Sequence, residues 1–189
     1  MNGYITGERF EGKEYQNNSL AKGEYENCTF RNCKFSGCDF QGLTFADCDF
    51  RECDFSLAGL KGVSFRTVHF VQCKMLGLRF DECHSMLLSF SFQGCILDYS
   101  SFSRLKIKGT VFNQCKMEEV DFEESDLTSA SFHACDLTRA SFEKSILIEA
   151  DLRTANNYSI DPESARISKA KFSTDGIPGL LDKYDIVIE

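Results

Sequence analysis

Ten cysteines, three histidines and 29 acidic against 21 basic side chains are where this 189-residue chain could hold chemistry. Thiols in such number could ligate a metal or pair as disulfides. Zinc ligands usually come as CxxC pairs joined by more Cys or His, and no CxxC occurs here. Cys28, Cys33 and Cys38 form the best candidate triplet for a metal. His69, His84 and His133 are isolated, and no Ser-His-Asp or Cys-His set can be assembled around them. The glycines are scattered and form no phosphate loop. Acids concentrate between 118 and 126, where Glu118, Glu119, Asp121, Glu123, Glu124 and Asp126 fill six of nine positions. Asp39, Asp47, Asp49, Glu52 and Asp54 make a second set in the N-terminal half. A net charge of −8 argues against bare nucleic acid as a ligand.

What positions these residues is a period of five. All 18 phenylalanines fall on one five-residue grid, on multiples of five up to Phe90 and shifted by two from Phe92 onward. Of 30 grid centres between Phe10 and Leu152, only Ser85 is polar. Neither a helix nor an ordinary strand keeps such a period on one face. A chain that turns a corner every five residues does, and that predicts a solenoid. A second register lies two residues before each centre and carries small side chains, among them Cys48, Val63, Ser100 and Ala130. All ten cysteines occupy this register. One slot so consistently filled selects for size, and free Cys behaves as a small buried hydrophobe. The thiols therefore read as reduced core residues, which fits the cytosol. The histidines fall in the outward slots. The expectation is a protein without catalytic centre, metal or cofactor.

The units read as small, polar, Phe or Leu, then two polar residues. Examples are Cys38-Asp39-Phe40-Gln41-Gly42, Cys135-Asp136-Leu137-Thr138-Arg139 and Ala150-Asp151-Leu152-Arg153-Thr154. This pattern resembles the pentapeptide-repeat family over roughly residues 8–155, with one detached unit at 170–174. The resemblance implies an all-β fold, a right-handed quadrilateral β-helix with four units per turn. Thirty units would then stack to a rod of roughly 36 Å at about 4.8 Å between strands. Cys33, Cys53 and Cys73, like Cys95, Cys115 and Cys135, are 20 residues apart and would stack as ladders.

Two places leave the grid. The phase slips by two residues near 85–92, either as a bulge or as a projecting loop; two residues are short for a loop, which favours the bulge. After Ala155 the repeat stops, so the chain divides into a solenoid over 1–155 and a C-terminal segment over 156–189. Asp161-Pro162 offers a helix start, and Ser173-Thr174-Asp175 a capping cluster. Leu180-Leu181-Asp182-Lys183-Tyr184 reads as a short helix, and Asp185-Ile186-Val187-Ile188-Glu189 as a terminal strand. Such a tail either caps the open end of the stack or forms a symmetric dimer surface.

The tail also resembles the C-terminal dimerisation segment of the quinolone-resistance members of the family, matched here by Leu180, Leu181, Ile186 and Ile188. That resemblance implies a homodimer through these residues and Tyr184. It further implies an acidic rod shaped like duplex DNA that occupies the DNA saddle of DNA gyrase or topoisomerase IV. Glu118, Glu119, Asp121, Glu123, Glu124, Asp126, Asp136 and Asp151 would then be the topoisomerase contacts. Read from charge alone, the same acids are a solvated face that keeps a rod soluble. The alternative is a scaffold or interaction module of unknown partner. The longer projecting loops of some quinolone-resistance members are missing here. Residues 1–10 carry no signal-like apolar stretch, and no apolar run approaches the roughly 20 residues of a membrane span. The expected location is the cytoplasm.

Overall fold

The computed structural model describes residues 3–15 and 20–188. The five-residue period becomes a coil with four sides, each coil pairing in parallel with the next. Gly3–Thr6, Gly23–Glu26, Thr44–Ala46 and Ser64–Arg66 stack as a four-stranded sheet on the first side. The second side is a seven-stranded sheet of Arg9–Glu11, Thr29–Arg31, Asp49–Arg51, Val68–Val71, Phe90–Gln93, Val111–Asn113 and Ser131–His133. Asp151 and Lys171 add two further bridged rungs to it. On the third side single parallel bridges run Glu14, Lys34, Asp54, Lys74, Ile96, Lys116, Asp136, Asn156. On the fourth they link Asp39 to Gly59, then Arg79, Ser101, Asp121 and Ser141.

The corners explain how five residues make one side. The residue two after most centres is left-handed, as at Asn27 (φ 52), Glu52 (φ 56), Leu57 (φ 60) and Gly62 (φ 68). That conformation turns the chain onto the next side; Gly, Asn and Asp adopt it most readily, but the corners here also hold Thr67, Gln72, Arg104 and Glu149 in it. Stacked corners share a bond along the rod: the N–H of Asn27 donates to Ala46 O, that of Asp47 to Arg66 O and that of Gly109 to Thr128 O. Aspartates just before the centres secure the same turn. Oδ1 of Asp39, Asp54, Asp121, Asp126, Asp136 and Asp151 each accepts from the backbone N–H two residues on.

Inside, Phe30, Phe50, Phe70, Phe92, Phe112 and Phe132 form one column of stacked rings, all within 2% of full burial. Neighbouring columns meet it edge-on, as Phe102 meets Phe92 and Phe112, the geometry aromatic quadrupoles favour. The cysteines fill the small register, free and buried. Cys33, Cys53, Cys73, Cys95, Cys115 and Cys135 share one column. The Sγ of Cys33, Cys53, Cys73 and Cys95 lies 3.4–3.5 Å from the carbonyl of Phe10, Phe30, Phe50 and Phe70, one coil back. Ser100 Oγ does the same to Met75 O at 2.9 Å. Burial pushes the Cys48 thiol up to about 12. Cys28, Cys33 and Cys38 sit on three different sides, and among the described residues no three His, Cys, Asp or Glu come together to hold a metal ion.

At the phase slip, Ser85, Met86 and Leu87 leave the coil, with Met86 and Leu87 exposed. Leu88 packs against the core, and Ser89 N bonds Phe65 O. Phe90 is not a centre, as the grid predicts, but pairs with Val68 in the small register, leaving Phe92 opposite Phe70. A bulge of three residues followed by a corner shortened by one gives the net shift of two.

The C-terminal segment departs from expectation. Asp161 caps a single turn, its Oδ1 accepting from Glu163 N. The Ser173 side chain caps a 3-10 helix over Thr174–Leu180, followed by a second over Asp182–Tyr184. The short helix predicted at 180–184 is thus broken at Leu181 and begins six residues earlier. Residues 185–188 form no strand: Asp185 turns left-handed (φ 49), and among the described residues none bridges to them. Glu189 lies outside the described residues. The segment covers the end of the stack through Tyr158, Phe172 and Leu180. Gly176 and Gly179 allow this; a Cβ on either would strike Tyr158. Lys183 Nζ ties it down at 2.7 Å from Asp161 and 2.6 Å from Glu163, and Tyr184 OH donates to Glu163 at 3.0 Å.

Candidate functional site

The acids of the 118–126 run are carried around one coil by the corners. Glu118 and Glu119 stand at the corner between the third and fourth sides, Asp121 on the fourth side, and Glu123 and Glu124 at its far end. These five share one side of the rod with Asp81, Glu82, Asp98 and Glu143. Asp126, Asp136 and Asp151 lie on the first, third and second sides. The fold therefore brings five of the eight candidate contacts together and separates three.

The carboxylates also differ in their duties. Asp121, Asp126, Asp136 and Asp151 hold turns. Burial raises the Asp126 carboxyl, yet the hydroxyl and N–H of Thr128 and the ammonium of Lys108 bring it below the usual range. Asn157 and Thr138 hold Asp136 low. Arg153 pulls Asp151 to about 2. The glutamates make no such backbone bond, but cations one coil on partly neutralise them. Arg139 Nε meets Glu119 at 2.8 Å, and its other nitrogen meets Glu118. Lys144 lies 3.1 Å from Glu143 and 3.9 Å from Glu123. Such exposed pairs are weak and exchange readily with an incoming cation. Arg139 follows Glu119 by 20 residues, so the pairing was readable once the turn length was known.

The tail residues fall into two groups. Leu180 packs on the core and Leu181 is half-buried. Tyr184, Ile186 and Ile188 are exposed, with Ile177 and Val187. Pro178, Leu181, Asp182, Asp185, Ile186 and Ile188 line a depression of about 300 Å³. His69, His84 and His133 all lie on the surface. Among the described residues no helix is long and apolar enough to cross a membrane.

The sequence profile of pentapeptide repeats in nine copies matches residues 25–69, and that of the pentapeptide repeat region matches 85–173. No curated protein matches. Among solved structures, a trypsin-treated variant of QnrB1, a plasmid-mediated fluoroquinolone resistance protein, superposes with a TM-score of 0.62 at 16% identity, over 100% of both chains. Full-length QnrB1 gives 0.51 at 20% identity, over 97% of this chain and 100% of that one. HetL, a pentapeptide repeat protein involved in heterocyst differentiation regulation from the cyanobacterium Nostoc, gives 0.49 at 15% identity, over 90% of this chain and 88% of that one. With the profiles spanning both halves of the rod and the corners repeating every five residues, this chain belongs to the pentapeptide-repeat family.

Proposed function

We propose that this protein is a non-enzymatic DNA mimic that binds a type II topoisomerase, DNA gyrase or topoisomerase IV, and protects it from quinolones or a gyrase-directed toxin. The observation that carries the reading is the acidic fourth side. Glu118, Glu119, Asp121, Glu123 and Glu124 stand together on one coil of a rigid rod, and Asp98 and Glu143 extend the acidic side to the coils before and after it, about 4.8 Å away along the axis. Fold likeness to QnrB1 along both whole chains supports the choice of partner. Opposed to a basic groove, these carboxylates would take the place of phosphates, with association fast and weakened by salt.

In this reading the protein acts in the cytoplasm as a homodimer. The exposed Tyr184, Ile186 and Ile188 beside Leu181 form the apolar surface where a second copy would seat its own tail across a two-fold axis. Leu180 supports that surface from the core. Two rods end to end would span about 7 nm.

The test is a gyrase supercoiling assay with a fluoroquinolone present, titrating in the protein. Supercoiling restored at low protein and inhibited at high protein is expected. Changing Glu118, Glu119, Glu123 and Glu124 to Lys should remove both effects and leave the fold intact, because those side chains bond no backbone. No effect of the folded protein at any concentration leaves a scaffold of another partner as the reading.

A further inference from the structure

The two ends of the rod are finished differently. Tyr158, Phe172 and Leu180 cover the last coil. The first coil, from Gly3 to Tyr15, pairs with the coil after it and, among the described residues, with nothing before it. The regular bonding shows which of its backbone groups are left open. Thr29 N, Asp49 N and His69 N donate one coil back to Glu8 O, Cys28 O and Cys48 O, and Lys34 N and Asp54 N donate to Lys13 O and Cys33 O. Their counterparts in the first coil are the N–H groups of Arg9 and Glu14. Glu26 O and Arg31 O accept from Gly7 N and Gly12 N, so the open carbonyls are those of Thr6 and Glu11. Ile5, Phe10 and Tyr15 end the core columns half-buried. Phe10 stacks on Phe30 at 4.6 Å and Tyr15 on Phe35 at 5.0 Å, which leaves the far face of each ring open.

This edge is complementary to itself. A two-fold axis through Phe10, perpendicular to the second side, sets two first coils antiparallel. Arg9 then faces Glu11 of the second copy, Thr6 faces Glu14, Ile5 faces Tyr15, and Phe10 faces its own equivalent. The open N–H groups of Arg9 and Glu14 meet the open carbonyls of Glu11 and Thr6, and each bond forms twice. The Arg9 and Glu11 side chains are exposed on the same side of the coil, so two cross-strand ion pairs flank the Phe10 pair, whose rings continue the core column. Charges that only guarded the edge against pairing would meet their like across this axis; these meet their opposites.

We propose that the N-terminal edge is a head-to-head contact between two copies of this chain, made by antiparallel pairing of Arg9–Glu11 with its own equivalent. The face is a single coil across, so the contact is weak and depends on concentration. It does not rest on the topoisomerase reading. Where the tails also pair, the two contacts alternate and join rods into a longer chain.

The test is sedimentation over a range of concentrations of the parent chain, of Arg9→Glu, of Glu11→Arg, and of an equimolar mixture of the two variants, with circular dichroism on each. The parent should associate more as concentration rises. Each single variant sets like charges across the axis and should raise the dissociation constant of the head contact about tenfold or more. In the mixture every cross-strand pair is again opposite in charge, and association should return as a one-to-one pair. Association through the tail is the same in all four samples. A parent that stays monomeric, or that stops at a dimer unaffected by either substitution, overturns the inference, as does a mixture of folded variants that fails to recover. In the parent chain alone, hydrogen exchange at the Arg9 and Glu14 amides should slow with concentration; unchanged rates overturn the inference without any variant.

Discussion

Phe70 and Phe92 stack at 5.3 Å between ring centroids with planes 10° apart, although 22 residues separate them; Phe50 and Phe70, 20 residues apart, stack at the same 5.3 Å. The core does not register the two extra residues. Ser85, Met86 and Leu87 are expelled and the following corner is one residue shorter, while Leu88 and Phe90 turn inward.

Deleting Ser85 and Met86 should therefore restore an uninterrupted grid, with Cys83-His84-Leu87-Leu88-Ser89 as a regular unit. The shortened protein should unfold in one transition at an equal or higher temperature. Loss of cooperative melting, followed by circular dichroism, would show that the bulge is required by the stack.

Because each coil touches only its neighbours, position along the rod should set the cost of a cavity. Phe102→Ala, fully buried mid-stack, should lose about 3–5 kcal/mol. Phe10→Ala, half-buried in the first coil, should lose roughly 1 kcal/mol. Urea denaturation measures both, and equal losses would contradict the nearest-neighbour picture.

Thr67 is β-branched and left-handed (φ 53) at an exposed corner, where its side chain crowds the backbone. Thr67→Asn should stabilise by about 1 kcal/mol. The expected signature is a higher urea midpoint at unchanged slope.

The tail should loosen in acid. Lys183 holds the carboxyls of Asp161 and Glu163 below their ordinary range. A carboxylate with a depressed folded pKa contributes stability above its unfolded pKa, near 4, and loses it as pH falls through the folded value. Amide hydrogen exchange over 174–184, corrected for intrinsic rate, should show protection at pH 6 that is reduced at pH 3. Lys183→Met should abolish the difference. Equal protection at both pH values in the parent chain would rule out the latch.

The period of five, readable from Phe30, Phe35 and Phe40 alone, determined the solenoid, its core and the burial of every cysteine. One inward residue in five with a small companion admits no other packing. Sequence also marked the slip at Ser85 and the cap at Ser173. It did not determine which outward residues share a side, because that depends on the closure of each turn at 20 residues and on the shift at 85–87. Only the folded chain gathers Glu118, Glu119, Asp121, Glu123 and Glu124 while sending Asp126, Asp136 and Asp151 to other sides, and only it leaves Arg9 and Glu11 flanking Phe10 at the open end of the stack. The tail eluded the sequence for a related reason. Leu180 and Ile186 show apolar character, but Tyr158 and the Lys183 ion pairs decide their conformation, and those are contacts between distant segments.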